Sequence, residues 1–180
     1  LMTDMKERQP DTLDIVMQRP LAKYEFVTND VAEFIDKEST RVNSKSATSE
    51  DAPTRAVKLE DYKVVFYYIG FMPHAYSIYT DKPVDSSTGI IFESTLKELN
   101  DSEASMGFDY IFTNGTESAV TVQIGIFDQE DTRISLTAPI EVPIRRSHHT
   151  ILKGRFLMTE ASGGVYVNPE YDGDHNVIFP

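Results

Sequence analysis

Apolar and polar residues alternate along much of the chain, and a period of two is typical of a strand buried on one face. The pattern is clearest over residues 119–127, where Val120, Val122, Ile124 and Ile126 fall on one side and polar residues or glycine on the other. We predict a half-buried strand of an antiparallel sheet here.

Residues 64–71, Val-Val-Phe-Tyr-Tyr-Ile-Gly-Phe, are almost all β-branched or aromatic. Such a run predicts a strand buried on both faces, at the centre of a sheet. A further strand is predicted over 89–95. The prolines and polar residues of 72–88 predict a loop, and 96–105 predict a polar helical turn or a loop.

The dipeptide Asn114-Gly115 separates an apolar stretch at 106–112 from the alternating strand at 119–127. Asn-Gly supplies the positive φ angles of a tight turn, so these strands are predicted to form a β-hairpin. Asn114-Gly-Thr116 also meets the N-glycosylation pattern, but the turn alone explains the sequence.

The N-terminal part predicts one long strand over 12–27, broken or bulged at its proline, which has no N–H to donate. Asp30 precedes an apolar run at 31–35, and Glu33 follows three residues later. This spacing predicts one or two turns of helix with a capping box. Residues 36–58 are mostly Ser, Thr and charged residues, which predicts a long polar loop.

Together these elements predict an all-β fold, an antiparallel β-sandwich of about seven to nine strands with minor helix. We expect a tail over 1–11 and a single domain over 12–180. A domain boundary within 36–58 is the alternative. We favour a surface loop there, because residues 12–27 are too few to bury a core alone.

The net charge of the chain disfavours some classes of binding partner. The 180 residues carry a net charge of −12, which repels phosphate backbones, so we expect no nucleic-acid partner. The chain has no Cys, which excludes disulfides, thiolate metal sites and cysteine nucleophiles. No apolar run approaches the roughly 20 residues of a membrane span, so no transmembrane segment is expected. A start at Leu1 without an apolar leader leads us to expect a processed or truncated product.

Candidate catalytic or metal-binding residues are sparse. The histidines are His74, His148, His149 and His175. On one strand, His148 and His149 would face opposite sides, so we interpret them as surface residues that do not share a metal. Asp172-Gly-Asp-His175 looks like an acidic ligand loop, but it lacks EF-hand spacing, and Asp-Gly is a common turn. We assign no catalytic, cofactor-binding or metal-ligating residue.

Two surface features remain open. Tyr76 and Tyr79 could form a sugar-stacking platform, although core packing with a partly wet loop is the favoured interpretation. Asp11-Thr12-Leu13 is similar to the short O-glycosylation acceptor of exported Bacteroidetes proteins, and a strand start explains it equally well.

The closing segment consists of two extended runs, 138–159 and 163–180, joined by Gly163-Gly164, which predicts a second hairpin. Its residues 142–159 and 164–173 resemble the C-terminal strand pair of the fimbrillin-like proteins of Bacteroidales, the type V pilus subunits. Arg19-Pro-Leu-Ala-Lys23 is similar to the strand that joins that family's two domains. Tyr68-Ile-Gly-Phe-Met-Pro73 and Thr80-Asp-Lys-Pro83 are similar to the strand and loop that follow.

The resemblance implies a transthyretin-like sandwich, exported to the cell surface and outer membrane. It implies assembly and adhesion without catalysis, by strand exchange between subunits. Family members usually have two sandwiches and an N-terminal lipoprotein cysteine, so we expect the first domain and anchor to be missing here. Because the chain ends at Pro180 just after its last predicted strand, a tip, anchor or stand-alone role fits better than a shaft subunit.

The sequence thus favours a non-enzymatic fimbrillin-like surface protein, pilus-associated or adhesive. Its expected partners are other pilus or surface-protein subunits, or a host or bacterial glycoprotein. The alternative is a carbohydrate-binding surface module that uses Tyr76 and Tyr79. A hydrolase built on a β-sandwich is a third and more remote reading.

Overall fold

The computed structural model describes residues 18–46, 56–158 and 175–178, and within them the chain is an all-β sandwich with one α-helix, as predicted. The described residues form twelve strands, more than the seven to nine expected. Their bounds are β1 Leu21–Thr28, β2 Lys63–Ile69, β3 Met72–Ser77, β4 Lys82–Ser87, β5 Ile91–Thr95, β6 Lys97–Asn100, β7 Glu103–Phe112, β8 Glu117–Phe127, β9 Arg133–Leu136, β10 Ile140–Arg145, β11 His149–Gly154 and β12 His175–Ile178.

The first sheet has the strand order β12-β11-β1-β7-β6, and the second has the order β10-β8-β2-β5. In the second sheet β9 also pairs with β8, beyond the part that β10 covers. Most pairs are antiparallel, but β11 pairs in parallel with both β1 and β12. The hairpin of β3 and β4 forms a separate two-stranded sheet.

The core lies between the two sheets. Ala22, Tyr24 and Phe26 of β1 point inward at every second position, as a half-buried strand requires. The Phe26 ring lies 5.7 Å from that of Phe66 in the second sheet and 5.2 Å from that of Phe156. Each fully buried large apolar side chain stabilises the fold by about 1.5–3 kcal/mol relative to exposure, so this aromatic cluster joins the sheets firmly.

Strand β2 confirms most of the prediction for residues 64–71, although it ends at Ile69 and leaves Phe71 exposed. It lies inside the second sheet, between β8 and β5, and its residues Val64, Val65 and Phe66 are buried on both faces. The face of β8 predicted to be apolar is also buried, at Val122 and Ile124.

The loop predicted over 36–58 is wrong for its first half. Helix α1 runs over Val31–Ser46, far beyond the one or two turns expected. Tertiary contacts hold it: the Phe34 ring packs edge-on against Tyr62 at 4.9 Å, and Glu38 is fully buried and accepts a hydrogen bond from the Tyr62 hydroxyl at 3.0 Å. Most helical stability in proteins comes from such packing and not from local propensity.

The helix begins where predicted, but the residues of the proposed capping box have other partners. The Asp30 carboxylate accepts the backbone N–H of Met158 at 2.9 Å and the hydroxyl of Thr28. Glu33 forms an ion pair with Arg155. Both residues therefore join the helix start to the segment after β11.

Two further loop predictions are wrong. Residues 72–88 contain the hairpin of β3 and β4, and residues 96–105 contain β6 and the start of β7. Strands β4 and β6 are short and largely exposed, so neither needs an apolar face. Their sequences therefore lack the alternation of apolar and polar residues that predicts a strand.

Both predicted hairpins are also wrong. The chain bends at Asn114-Gly115, with Gly115 at a φ of 83°, but the bend leads from β7 in the first sheet to β8 in the second. In the closing segment β11 and β12 are parallel, whereas a two-residue hairpin turn joins antiparallel strands.

Several predictions lie outside the described residues. They are the tail at 1–11, the O-glycosylation acceptor at 11–13, the first part of the long strand at 12–17, the polar loop at 47–55, the Gly163-Gly164 turn and the acidic loop at 172–174. For the strand predicted over 12–27, the described part is β1, which follows Pro20 directly.

Candidate functional site

The hairpin of β3 and β4 stands apart from both sheets. It contains two prolines, Pro73 and Pro83, one in each strand. Proline removes a donor from a sheet edge, and this limits further strand pairing there. A four-residue turn at 78–81 closes the hairpin, and Asp81 takes a φ of 52° in it.

Four side chains anchor this hairpin to one end of the sandwich. The Arg146 guanidinium, in the turn between β10 and β11, donates two hydrogen bonds to Asp81, at 2.8 and 2.9 Å. The Tyr76 hydroxyl donates to the same carboxylate at 2.7 Å, and the Tyr76 ring stacks on Phe112 of β7 with 5.5 Å between centroids. The hydrogen bonds from Arg146, followed by that from Tyr76, lower the pKa of Asp81 to about 2.

The tip of the hairpin is apolar and exposed. Ile78 is 92% exposed and Tyr79 is 98% exposed, the highest values among the large hydrophobic side chains described. Isolated surface hydrophobic residues are common, but two adjacent ones on an anchored turn form a small exposed apolar patch.

A groove of ≈ 440 Å³ lies between the open end of the hairpin and the end of the sandwich. Both sheets and the hairpin contribute apolar walls: Ile111 and Phe112 from the first sheet, Ile69, Val120 and Ile144 from the second, and Met72, Pro73, Pro83 and Val84 from the hairpin. Phe71, also in its lining, is 76% exposed. Asn114, from the turn between the sheets, lies at the same groove.

The histidines are dispersed. His74 lies on the exposed hairpin, 3.4 Å from the Ser87 hydroxyl. His148 contacts the Arg146 carbonyl at 2.7 Å, and His149 lies 3.2 Å from the Glu25 carboxylate on the outer face of the first sheet. Among the described residues no group of three or more His, Asp or Glu side chains is arranged to hold a metal ion.

The two candidate tyrosines have different roles. Tyr76 is half-buried, with one contact to Phe112 and the Arg146 guanidinium 5.9 Å from its ring centroid. Only Tyr79 presents a free ring to solvent. The two rings therefore differ in exposure, and the sugar-stacking platform stays a prediction.

The sequence alone does not single out Arg146 or Asp81. Arg146 falls within the extended run predicted over 138–159, yet it lies in a turn and its side chain is 13% exposed. No sequence signal pairs it with Asp81, because the contact joins two turns 65 residues apart.

None of the helices in the described part of the chain is long and apolar enough to cross a membrane. A family model described as a family of unknown function, DUF6562, matches residues 2–180. No curated protein and no solved structure matches the chain.

Proposed function

The chain belongs to DUF6562, a family of unknown function, and we propose that it is a non-enzymatic protein-binding domain of the cell surface. It is exported to the outer membrane and assembles with pilus or other surface-protein subunits. The contact region is the end of the sandwich that carries the β3–β4 hairpin.

The exposed tip carries this proposal. The exposed side chains of Ile78 and Tyr79 are in contact with water. Burying them against a partner would release that water, and this hydrophobic effect would favour binding. The tip is already held in place by Arg146 and Tyr76, so binding would order little additional chain. Preorganisation of this kind increases affinity because less conformational entropy is lost.

The groove beside the hairpin supports the assembly role. Its walls come from both sheets, so an apolar side chain placed there would contact core residues such as Ile111 and Ile144 directly. Its ≈ 440 Å³ falls within the roughly 300–1,000 Å³ of typical ligand sites, and polar residues such as Asp85 and Thr121 line it beside the apolar ones. An extended segment of a partner could insert alternate side chains here, while the tip makes a separate receptor contact.

A non-enzymatic role fits the pairing at the hairpin tip, where two of the charged residues, Asp81 and Arg146, bind each other and hold structure. The resemblance of the closing segment to fimbrillin-like proteins supports a role in assembly or adhesion.

Site-specific photo-crosslinking tests this proposal. A photoreactive residue replaces Tyr79 in cells that produce and export the protein, and Leu99 serves as the control position. Leu99 is 51% exposed, on β6, which pairs with the opposite end of β7 from Phe112. We expect adducts with surface-protein subunits from position 79 and few from position 99. Equal adducts from both positions, or none, would refute the proposal.

Two controls complete the test. Protease treatment of intact cells should cleave the protein, whereas protection until lysis would exclude the surface location. A glycan array with Tyr79→Ala and Tyr76→Ala addresses the carbohydrate alternative. Glycan binding that is lost with Tyr79→Ala, in a variant that keeps its melting temperature, would favour that alternative over protein binding.

A further inference from the structure

The turn that joins the two sheets contains a chemically reactive dipeptide at the groove. Asn114 and Gly115 are both exposed, and no hydrogen bond to the Asn114 side chain is recorded in the described part of the chain. Nothing lies within 4 Å of the position that a Gly115 Cβ would occupy. The side-chain amide of Asn114 and the backbone amide of Gly115 are therefore adjacent, exposed and unshielded.

We propose that Asn114 is a site of spontaneous deamidation. The backbone nitrogen of Gly115 attacks the Asn114 side-chain carbonyl carbon and forms a five-membered succinimide, and the side-chain nitrogen leaves as ammonia. Water then opens the ring at either carbonyl and gives aspartate or isoaspartate. The reaction consumes only water, and it begins with loss of the amide proton, so its rate increases with pH.

The glycine that follows Asn114 makes this asparagine more reactive than the other exposed asparagines considered. A Cβ on the residue after asparagine crowds the attacking nitrogen, and glycine has none. Asn29 and Asn100 are exposed as well, but each precedes an aspartate. Asn100 is also held in place, because its side-chain oxygen accepts the backbone N–H groups of Ser102 and Glu103, both at 3.0 Å.

The fold gives the modification a consequence. Asn114 contributes to the groove, so deamidation places a new carboxylate beside apolar walls that include Ile111 and Val120. Isoaspartate would also lengthen the backbone of the turn between β7 and β8 by one atom. The chemical step is independent of the proposed function, and only its effect on binding rests on it.

Peptide mapping of the full chain tests the proposal. The folded protein is incubated in mildly alkaline ¹⁸O-water, digested with trypsin, and analysed by fragmentation that separates aspartate from isoaspartate. One tryptic peptide, residues 98–133, contains both Asn100 and Asn114, so the comparison is internal. We expect incorporation at Asn114 to be roughly tenfold faster or more than at Asn100, since only glycine leaves the attacking amide unhindered.

Two further measurements make the result decisive. The same incubation in urea gives the rate in the unfolded chain, and a native rate far below it would mean that the turn protects Asn114, which overturns the proposal. Equal rates at Asn114 and Asn100 in the folded chain would also overturn it. The Asn114→Gln variant should lose the fast incorporation, and isoaspartyl methyltransferase should label the peptide 98–133 of the wild type and not that of this variant.

Discussion

The guanidinium of Arg146 binds the carboxylate of Asp81 through two parallel hydrogen bonds of 2.8 and 2.9 Å, across 65 residues of sequence. This fork-shaped contact joins the β10–β11 turn to the tip of the β3–β4 hairpin. The Arg146 side chain also donates to the Arg19 carbonyl at 3.1 Å, just before β1. One arginine therefore holds together three chain segments at the proposed contact end.

The pKa of Asp81 reports this contact. Hydrogen bonds from Arg146 and then Tyr76 lower it from 3.8 to about 2, so the contact is complete above pH 3.8 and is lost as the pH falls through about 2. We expect an NMR titration of the Asp81 carboxyl carbon to have its midpoint near pH 2, and Arg146→Gln to move it up towards 3.8. Arg145→Gln, which removes a more distant pair with Glu117 at 3.8 Å, is the control. An unchanged midpoint in Arg146→Gln would contradict the role of this contact.

The strands were predictable from sequence where one or both faces are buried. The alternation over β8 and the dense run of β2 both reflect side chains that must leave water, and this is a local property of the chain. The choice of partner strand is not local. The chain bends at Asn114-Gly115, yet the strands on either side pair with β1 and β2, in different sheets.

The length of helix α1 could not be predicted from the sequence. Its inward row includes Glu38, a carboxylate, and its second half is rich in Ser, Thr and Asn, which favour helices weakly. The helix is held by contacts that the sequence does not reveal, such as the ion pair between Arg41 and Asp128 at 3.1 Å. The hairpin site was hidden for the same reason, since Arg146 and Asp81 meet only in the folded chain.

A buried chain of hydroxyl groups predicts a coupled effect on stability. The hydroxyls of Tyr24 and Tyr68 lie 2.6 Å apart, and Tyr68 donates to Asp109 at 2.5 Å. Tyr68→Phe leaves the fully buried Tyr24 hydroxyl without its partner, which should cost about 1–3 kcal/mol of unfolding free energy. Tyr24→Phe should cost less, because Tyr68 keeps its bond to Asp109.

Urea denaturation of both single variants and the double variant measures this coupling. The double variant should lose less than the sum of the two single losses, because the second substitution removes a hydroxyl that the first left unpaired. Additive losses would mean that the two hydroxyls do not depend on each other.

The two sheets approach closely at Gly107, so we expect a larger residue at this position to destabilise the fold. A Cβ there would lie 2.7 Å from the Ser94 hydroxyl and 3.2 Å from the Phe66 ring, both in the other sheet. We expect Gly107→Ala to cost about 1–3 kcal/mol from overpacking, in addition to strain at its φ of 134°. Gly89→Ala is the control, because Gly89 also has a positive φ but has open space around it. Equal losses of unfolding free energy in the two variants would exclude the steric explanation.

Tyr62 predicts how the fold responds to alkali. Burial, and then the Glu38 carboxylate, raise its pKa from 10 to about 12, while an unfolded tyrosine ionises near 10. The folded chain therefore binds more protons between these values, and stability should be complete below pH 10 and decrease as the pH rises through about 12. Tyr62→Phe should be less stable at neutral pH by about 1–3 kcal/mol, because buried Glu38 loses a donor.

The Tyr62→Phe variant should lose less stability than the wild type between pH 10 and 12, because it lacks one tyrosine whose pKa is raised by folding. Burial also raises the pKa of Tyr24 and Tyr68, so a part of the alkaline loss should remain. Urea unfolding of the two proteins across this pH range is the measurement, with Tyr110→Phe on the exposed outer face of the first sheet as the control. If Tyr62→Phe and the wild type lose stability in parallel above pH 10, the proton on Tyr62 is not linked to folding.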